Sequence, residues 1–294
     1  MLRGIVLIAF AAVSWGTTGS VTTVLVARDG VGPWMIGAMR MWFAAALLLL
    51  AARAMRMPLP LDRRGLGAAA ALGACMAAFQ VTYFTAVTMT GITITALVAI
   101  CAAPLMIAGL AVLTLGERPN ARVLTALALG VAGTALLVIG PRVVAPAAPR
   151  FMAGTLLALG AALSYAVYVV VAKAALARTR PVPLAALTFA AAALFLTVPL
   201  WWIEHPAAQL ARGWPWLLYL GAVTTAAAYV LYTTGLRHVP ASVAGIVSLC
   251  EPLTAALLGA ALFGERLAPT GIAGAFLLFT AVGMILRGAS RAPR

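Results

Sequence analysis

Two ionisable side chains, Glu251 and Arg40, lie inside long apolar stretches of the chain. An acid at mid-membrane depth costs about 2.5–3.5 kcal/mol on insertion scales, so such a residue indicates a functional site by default. Glu251 can be a protonated side chain that caps the carbonyls freed by Pro252, or a carboxyl that binds a proton or a substrate. Arg40 can extend to the outer surface of the membrane that the chain spans, or it can pair with a carboxylate from Glu251 or from a substrate.

Aromatic and hydroxyl side chains recur at helical spacing within similar apolar stretches. Tyr165 and Tyr168, like Tyr229 and Tyr232, are three residues apart and share one helix face. A phenol hydroxyl among lipid tails lacks a partner, so these faces should meet protein or a wet cavity. Hydrogen bonding between packed helices, worth about 1 kcal/mol per bond, explains any single stripe equally well. Two more stripes consist of Trp15, Thr18 and Thr22, and of Phe79, Gln80 and Tyr83.

Because four such stripes occur on corresponding segments of two halves, we favour a substrate cavity. The predicted substrate-binding set also includes Ser248 and Glu251, with Arg40 as a possible charge partner.

A duplicated pattern organises the elements that must position these residues. Pro104-Leu105 precedes Gly116-Glu117-Arg118, and Pro252-Leu253 precedes Gly264-Glu265-Arg266, with the same offset of 148 residues. Each proline lies within an apolar segment, where it removes a backbone donor and kinks or breaks the helix. Proline-interrupted segments at matching positions of two halves indicate a transporter binding site, although two ordinary kinked helices in a duplicated bundle would also explain them. Pro104 and Pro252 are therefore predicted helix breaks with a gating role.

The composition is that of a polytopic membrane protein. Hydrophobic residues make up 64% of the chain and charged residues 9%, against roughly 45–50% and 25% in soluble domains. Since a bilayer core about 30 Å thick needs about 20 apolar residues per helix, the sequence predicts ten transmembrane helices. The predicted spans 1 to 10 are 4–26, 33–53, 65–87, 91–114, 119–140, 151–173, 181–203, 214–235, 240–263 and 268–287.

These spans form two sets of five, which we assign to repeats 1–145 and 146–294. Because five is odd, the second repeat starts on the opposite side of the membrane, so the fold is predicted to be all-α with two inverted five-helix repeats. With a cytoplasmic N-terminus, 14 Lys and Arg residues fall on the cytoplasmic side and five on the outer side. This distribution follows the positive-inside rule and predicts that both termini are cytoplasmic. Lys173, at the cytoplasmic end of span 6, is expected to reach the headgroups.

Several kinds of chemistry have no support in the sequence. The net charge of +14 lies mostly at span ends, so it does not indicate nucleic-acid binding. The chain has no GxxxxGK[ST] loop for a nucleotide, and His205 and His238 have no acid or cysteine at ligand spacing, so we expect no metal and no cofactor. Glu251 is the only acid within a span. An intramembrane enzyme acting on lipid-linked substrates, with Glu251 as its acid, is therefore the weaker alternative, because it would need a second catalytic group.

The paired motifs resemble the drug/metabolite transporter superfamily, and within it the EamA-type exporters with ten helices. The second repeat has Thr188-Phe189 at the position that corresponds to Arg40. The residues that carry the resemblance are Arg40, Pro104-Leu105, Leu115-Gly116-Glu117, Gly130, Gly133, Glu251-Pro252-Leu253, Gly264-Glu265-Arg266, Gly271 and Gly274.

The resemblance implies efflux of small organic metabolites or drugs across the bacterial inner membrane, through a cavity lined by spans 1, 3, 4, 6, 8 and 9. The aromatic, hydroxyl-rich stripes look most like YddG-type exporters of aromatic and other neutral amino acids. Phosphate-carrying branches would need several buried basic residues. The expected partners are a small-molecule substrate and the lipid bilayer; the oligomeric state is left open, and a monomer is compatible with the pattern. Multidrug or other metabolite efflux, and a scaffold that transports nothing, are alternatives.

Overall fold

The computed structural model describes residues 1–138, 149–263 and 268–290, and all regular structure in those ranges is helical. Ten segments are long and apolar enough to cross a membrane, as the hydropathy pattern predicts. The second Gly-Glu-Arg motif, at 264–266, lies outside the described residues. The helices, in order of span, are Leu2–Gly16 and Thr18–Ala27, Pro33–Ala54, Arg63–Thr90, Ile92–Leu115, Ala121–Val138, Pro149–Ala175, Pro181–Leu200, Pro206–Gly221 with the π-helical Ala222–Ala227 and then Ala228–Leu236, Ala241–Ser248 and Cys250–Phe263, and Pro269–Ser290.

Span 9 is interrupted close to Pro252, whereas no break occurs at Pro104. The first helix of span 9 ends at Ser248 and the second begins at Cys250, so Pro252 lies in the first turn of the second helix. The missing N–H of a proline costs nothing there, because the first amides of a helix have no intrahelical acceptor. Pro104 lies inside the unbroken helix Ile92–Leu115. The gating role of both prolines stays a prediction.

The packing of the spans repeats when the two halves are exchanged. Exchange of the two halves maps spans 3, 6 and 7 onto spans 8, 1 and 2. The contacts of span 3 with spans 6 and 7 recur as the contacts of span 8 with spans 1 and 2. Span 4 contacts span 6, and its counterpart span 9 contacts span 1. Spans 5 and 10 pack on each other, as do spans 2 and 7. The fold is therefore two five-helix repeats in inverted orientation, as predicted.

Glycines mark equivalent crossings in the two repeats. Gly73 of span 3 lies so close to Ala191–Ala192 of span 7 that a Cβ atom would overlap the neighbour. Gly221 of span 8 lies equally close to Phe43–Ala44 of span 2. Gly221 lies 148 residues after Gly73, and residues 43–44 lie 148 residues before residues 191–192. In membrane helices such small residues let backbones approach closely enough to gain van der Waals contact.

A second pair of equivalent contacts joins the repeats to each other. Gly4 of span 1 lies against residues 235–239 of span 8, and Gly154 of span 6 lies against residues 86–90 of span 3. At the crossing of spans 5 and 10, Gly133 and Gly274 face each other, and a Cβ on either would come within 2.8 Å of the other's carbonyl oxygen. Backbone contact without intervening side chains thus holds the repeats together and places the stripes of spans 1, 3, 6 and 8 around one centre.

Candidate functional site

Trp15 lies at the centre of an aromatic cluster contributed by both repeats. Its ring centroid is 5.1 Å from Tyr229, 5.2 Å from Tyr232 and 6.4 Å from Tyr165, the last in a T-shaped arrangement. Such separations are in the range where aromatic pairs gain about 0.5–1.5 kcal/mol beyond burial of area. Spans 1, 6 and 8 therefore meet where the helical spacing of their aromatic residues predicts a shared surface.

The stripe of span 3 joins the same cluster. Phe79 stacks on Tyr83 at 5.6 Å and approaches Tyr165 at 6.2 Å. Tyr168 stacks on Tyr165 at 6.1 Å and packs against Tyr229. The sequence analysis missed Phe189 of span 7, which lies 4.8 Å from Tyr229 in a T-shaped contact. No stripe identifies Phe189, since the residues three and four positions away from it, 185–186 and 192–193, are all alanine.

The rings fill the centre of the bundle instead of lining the open cavity that we expected. Trp15 is 6% exposed, Tyr168 1%, Tyr229 9% and Tyr232 0%. Because edge-to-face ring contacts are themselves favourable, the predicted walls close on each other. One groove, with a volume of about 200 Å³, runs along spans 1 and 10 and has a wholly apolar lining. At the centre, Tyr83, Tyr165, Ser248 and Glu251 keep partial exposure.

Several polar atoms at this centre are buried without a hydrogen-bond partner among the described residues. Trp15 Nε1 and Gln80 Nε2 can only donate, and both lack an acceptor. The hydroxyls of Tyr165 and Tyr232 lie close to each other, and that of Tyr232 also faces Ser248, but none of these approaches has hydrogen-bond geometry. Leaving such an atom unpaired costs about 1–3 kcal/mol. The remaining unpaired atoms are the hydroxyls of Thr18 and Thr188.

The break in span 9 positions Glu251 beside span 1. Glu251 lies in the first turn of helix Cys250–Phe263, and its backbone carbonyl lies against Gly16. A carboxylate in the first turn of a helix is stabilised by the positive end of the helix dipole, so the break makes a buried acid tolerable. Within the described residues its side chain makes no hydrogen bond and no ion pair. The hypothesis that Glu251 caps the freed carbonyls is therefore not supported, and the binding hypothesis remains a prediction.

Arg40 points into the bundle and does not extend to the membrane surface. Its Nε donates to Thr225 Oγ1 of span 8 at 3.1 Å. Thr225 belongs to the π-helical segment Ala222–Ala227 and also donates to the Leu220 carbonyl at 2.8 Å. Of the two alternatives for Arg40, extension to the outer surface of the membrane is not supported, because its guanidinium bonds a hydroxyl of span 8.

The π-helical segment explains a drift in the repeat offset. Gly73 corresponds to Gly221 at an offset of 148, whereas Tyr83 corresponds to Tyr232 at 149. The extra residue lies between these positions, where span 8 is π-helical and span 3 is continuous α-helix. A one-residue insertion into a helix produces such a bulge, and bulges of this kind are frequent at functional sites. Here the bulge lies directly before Tyr229 and Tyr232.

Comparison with known proteins identifies relatives of this chain. The profile of the EamA-like transporter family matches residues 2–139 and again 152–287. The chain belongs to this family. It is 36% identical over 288 residues to the uncharacterized transporter YwfM of Bacillus subtilis, covering 98% of this chain and 93% of that one. An uncharacterized transporter of Archaeoglobus fulgidus is 31% identical over 202 residues, 68% of this chain and 69% of that protein.

A solved crystal structure shares the fold, with a TM-score of 0.82, 22% identity and coverage of 98% of this chain and 99% of the other. Family and fold together make this EamA-like protein a multi-pass membrane transporter, and not an enzyme. The intramembrane enzyme considered from the sequence is thereby set aside.

In this EamA-like transporter, the Gly-Glu-Arg motif of the first repeat caps a helix of the second. The Glu117 carboxylate accepts hydrogen bonds from the backbone N–H of Ala241 and, at 3.1 Å, of Ser242. The Ser242 hydroxyl donates to the same carboxylate at 2.7 Å. Helix Ala241–Ser248 thus receives a negative charge at its N-terminus, where free amides and the helix dipole favour an anion.

Lys173 binds the start of the same turn. Its Nζ donates to the carbonyl oxygens of Leu236 at 2.6 Å and Val239 at 2.7 Å, at the end of span 8. A cation near a helix C-terminus complements the negative end of the dipole. The expectation that Lys173 reaches the headgroups is wrong, because unpaired carbonyls at the end of span 8 lie within its reach. We call residues 236–242 with these two contacts the clamped turn.

Proposed function

We propose that this EamA-like transporter exports small amphipathic metabolites, with aromatic and other neutral amino acids as its main substrates, by alternating access across the bacterial inner membrane. The two repeats, 1–145 and 146–294, supply opposite walls of one central site, and both termini are cytoplasmic.

The aromatic cluster around Trp15 is the observation that carries this proposal. Rings from spans 1, 3, 6 and 8 meet there, and the unpaired Trp15 Nε1 lies among them, while the unpaired Gln80 Nε2 lies beside Gly37 of span 2. The aromatic side chain of a substrate stacks on these rings. The polar groups of the substrate form hydrogen bonds with protein atoms that otherwise stay unpaired. Alternating access then amounts to a separation of the rings toward one membrane face at a time. The clamped turn closes the predicted cytoplasmic face.

The direct test is flux from proteoliposomes. Purified protein is reconstituted, loaded with labelled tryptophan, phenylalanine or threonine, and followed with and without a pH gradient. We expect faster release than from protein-free liposomes, and a loss of at least about tenfold in Trp15→Ala because three ring contacts disappear. Trp42→Ala is the matched control, since Trp42 is 39% exposed and bonds Thr197 of span 7 at the periphery. If none of the three compounds moves, the amino-acid assignment is wrong.

A broader metabolite or drug efflux carrier is the second candidate. Aromatic walls suit many amphipathic compounds, and the buried hydroxyls impose no fixed charge on a ligand. Inhibition of labelled phenylalanine release by uncharged aromatic drugs, with potency similar to that of tryptophan, would favour this candidate. Release that only amino acids inhibit would favour the first.

A further inference from the structure

Arg40 and Glu251 both lie near the aromatic cluster. Arg40 bonds Thr225, and Thr225 lies one helical turn before Tyr229. Tyr229 stands 5.1 Å from Trp15, whose neighbour Gly16 lies against the backbone of Glu251. A cation from span 2 and an anion from span 9 therefore both lie close to the Trp15–Tyr229 pair.

The charges of Arg40 and Glu251 attract each other without direct contact. Arg40 donates its Nε to a neutral hydroxyl, and no ion pair joins it to Glu251 in the ranges that the structure describes. Both side chains keep partial exposure, so neither is sealed within the packed rings. An unpaired ion removed from water costs several kcal/mol. A ligand that carries both signs of charge would relieve both costs at once.

We propose that Arg40 and Glu251 bind the two charged groups of a zwitterionic substrate, an α-amino acid whose side chain lies on Trp15 and Tyr229. This inference rests on the proposed function and adds its charge selectivity. The free N–H groups of Arg40 donate to the carboxylate of the substrate, and Glu251 accepts from its ammonium group. A compound with one charge satisfies one of the two residues and leaves the other buried and unpaired, so the site selects against it.

The residues at equivalent positions of the two repeats support a site with one positive and one negative group. The counterpart of Arg40 in the second repeat is Thr188, and that of Glu251 in the first is Ala103, both uncharged. Spans 2 and 9 therefore each add one charge to a pseudo-symmetric aromatic site. Only the two together match a carboxylate and an ammonium group that share one carbon atom.

The test compares three ligands that share a phenyl ring. Unlabelled L-phenylalanine, phenethylamine and 3-phenylpropionate compete with labelled phenylalanine for release from proteoliposomes. In the wild type we expect phenylalanine to compete at least about tenfold better than either singly charged compound. Arg40→Gln should abolish the preference over phenethylamine and keep the preference over 3-phenylpropionate. Glu251→Gln should do the reverse.

Surface variants with the same chemistry serve as controls. Arg53→Gln, at the exposed end of span 2, and Glu204→Gln, on an exposed turn, should leave both ratios unchanged. If Arg40→Gln does not fold, as judged by size-exclusion chromatography, Arg40→Lys keeps the charge and should retain part of the preference. Unaltered ratios in both site variants would overturn the inference while the amino-acid assignment stands. A wild type that releases no phenylalanine would instead overturn the proposed function.

Discussion

The clamped turn and its counterpart in the first repeat, residues 87–93 between spans 3 and 4, occupy equivalent positions but are held differently. At the clamped turn, Lys173 and Glu117 bind backbone groups from two sides. The counterpart of Lys173 is Thr23, whose hydroxyl donates to Gly19 of its own helix. At residues 87–93, Thr90 bonds Thr95 of span 4 at 2.8 Å.

The difference between Lys173 and Thr23 shows that the repeats share close helix packing but not every polar contact at these turns. Close glycine contacts recur at equivalent crossings, so the backbone arrangement is nearly symmetric. Charged contacts to helix ends occur at the clamped turn, on the side where the positive-inside rule predicts the cytoplasm. The counterpart of Glu117 is Glu265, which lies outside the described residues. Because Thr23 bonds its own helix and Lys173 bonds the clamped turn, we expect the first repeat's turn to open more easily than the clamped turn.

Loss of the Glu117 cap should have the largest effect on the clamped turn. Glu117→Ala leaves the amides of Ala241 and Ser242 without their acceptor and should destabilise the protein by about 2 kcal/mol. In a variant whose only cysteine is Cys250, near the break in span 9, the mutation should also speed labelling by a thiol reagent added from the cytoplasmic side. Ser242→Ala, which removes one of three donors, should have a smaller effect on both measurements. Equal labelling rates with and without Glu117 would contradict the locking role.

Removal of Lys173 should have a somewhat smaller effect. Lys173→Met keeps the length of the side chain but leaves the carbonyls of Leu236 and Val239 without a donor, at a cost of about 1–2 kcal/mol. Thermal unfolding in detergent and labelling of Cys250 measure stability and access. Thr23→Met, at the counterpart position, is the matched control and should change neither. A larger effect at Thr23 would reverse the comparison between the two turns.

Removal of the π-helical insertion tests the contrast between spans 3 and 8. Deleting Val223 should allow span 8 to become a regular helix like span 3, with residues 228–236 kept in register against span 1. The bond from Arg40 to Thr225 should be lost, and substrate release should fall by about fivefold, equivalent to one hydrogen bond of about 1 kcal/mol. Flux and the melting temperature are measured together. A deletion variant that fails to fold would show that the bulge is required for packing.

The smallest effect is expected at the counterpart turn. Thr90→Val removes the hydrogen bond to Thr95 and should cost about 0.6 kcal/mol, the average for side-chain hydrogen bonds between membrane helices. The melting temperature should therefore drop less than in Lys173→Met. Thr88→Val, at an exposed hydroxyl that bonds only its own helix, provides the baseline. A drop in melting temperature as large as that of Glu117→Ala would mean that side-chain hydrogen bonds stabilise both turns equally.

The sequence predicts the spans and repeats well because both rest on local properties. A stretch of about 20 apolar residues is visible without knowledge of its neighbours, and the offset of 148 is preserved in the contacts of Gly73 and Gly221. The stripes on spans 1, 3, 6 and 8 were also predictable, since residues three or four apart share a helix face. What spacing could not show was that the rings of Trp15 and Tyr232 pack on each other and fill the expected cavity.

The amino-acid sequence by itself therefore determines that this is a membrane protein of ten helices built from a duplicated unit, because hydropathy and repeat spacing are written along the chain. The tertiary structure alone decides where each charge points. Lys173 and Arg40 both have side chains long enough to reach a membrane surface, and both turn inward because carbonyls and a hydroxyl from span 8 lie closer. Such partners are more than 60 residues away in sequence, so only the packing of the helices brings them within bonding distance.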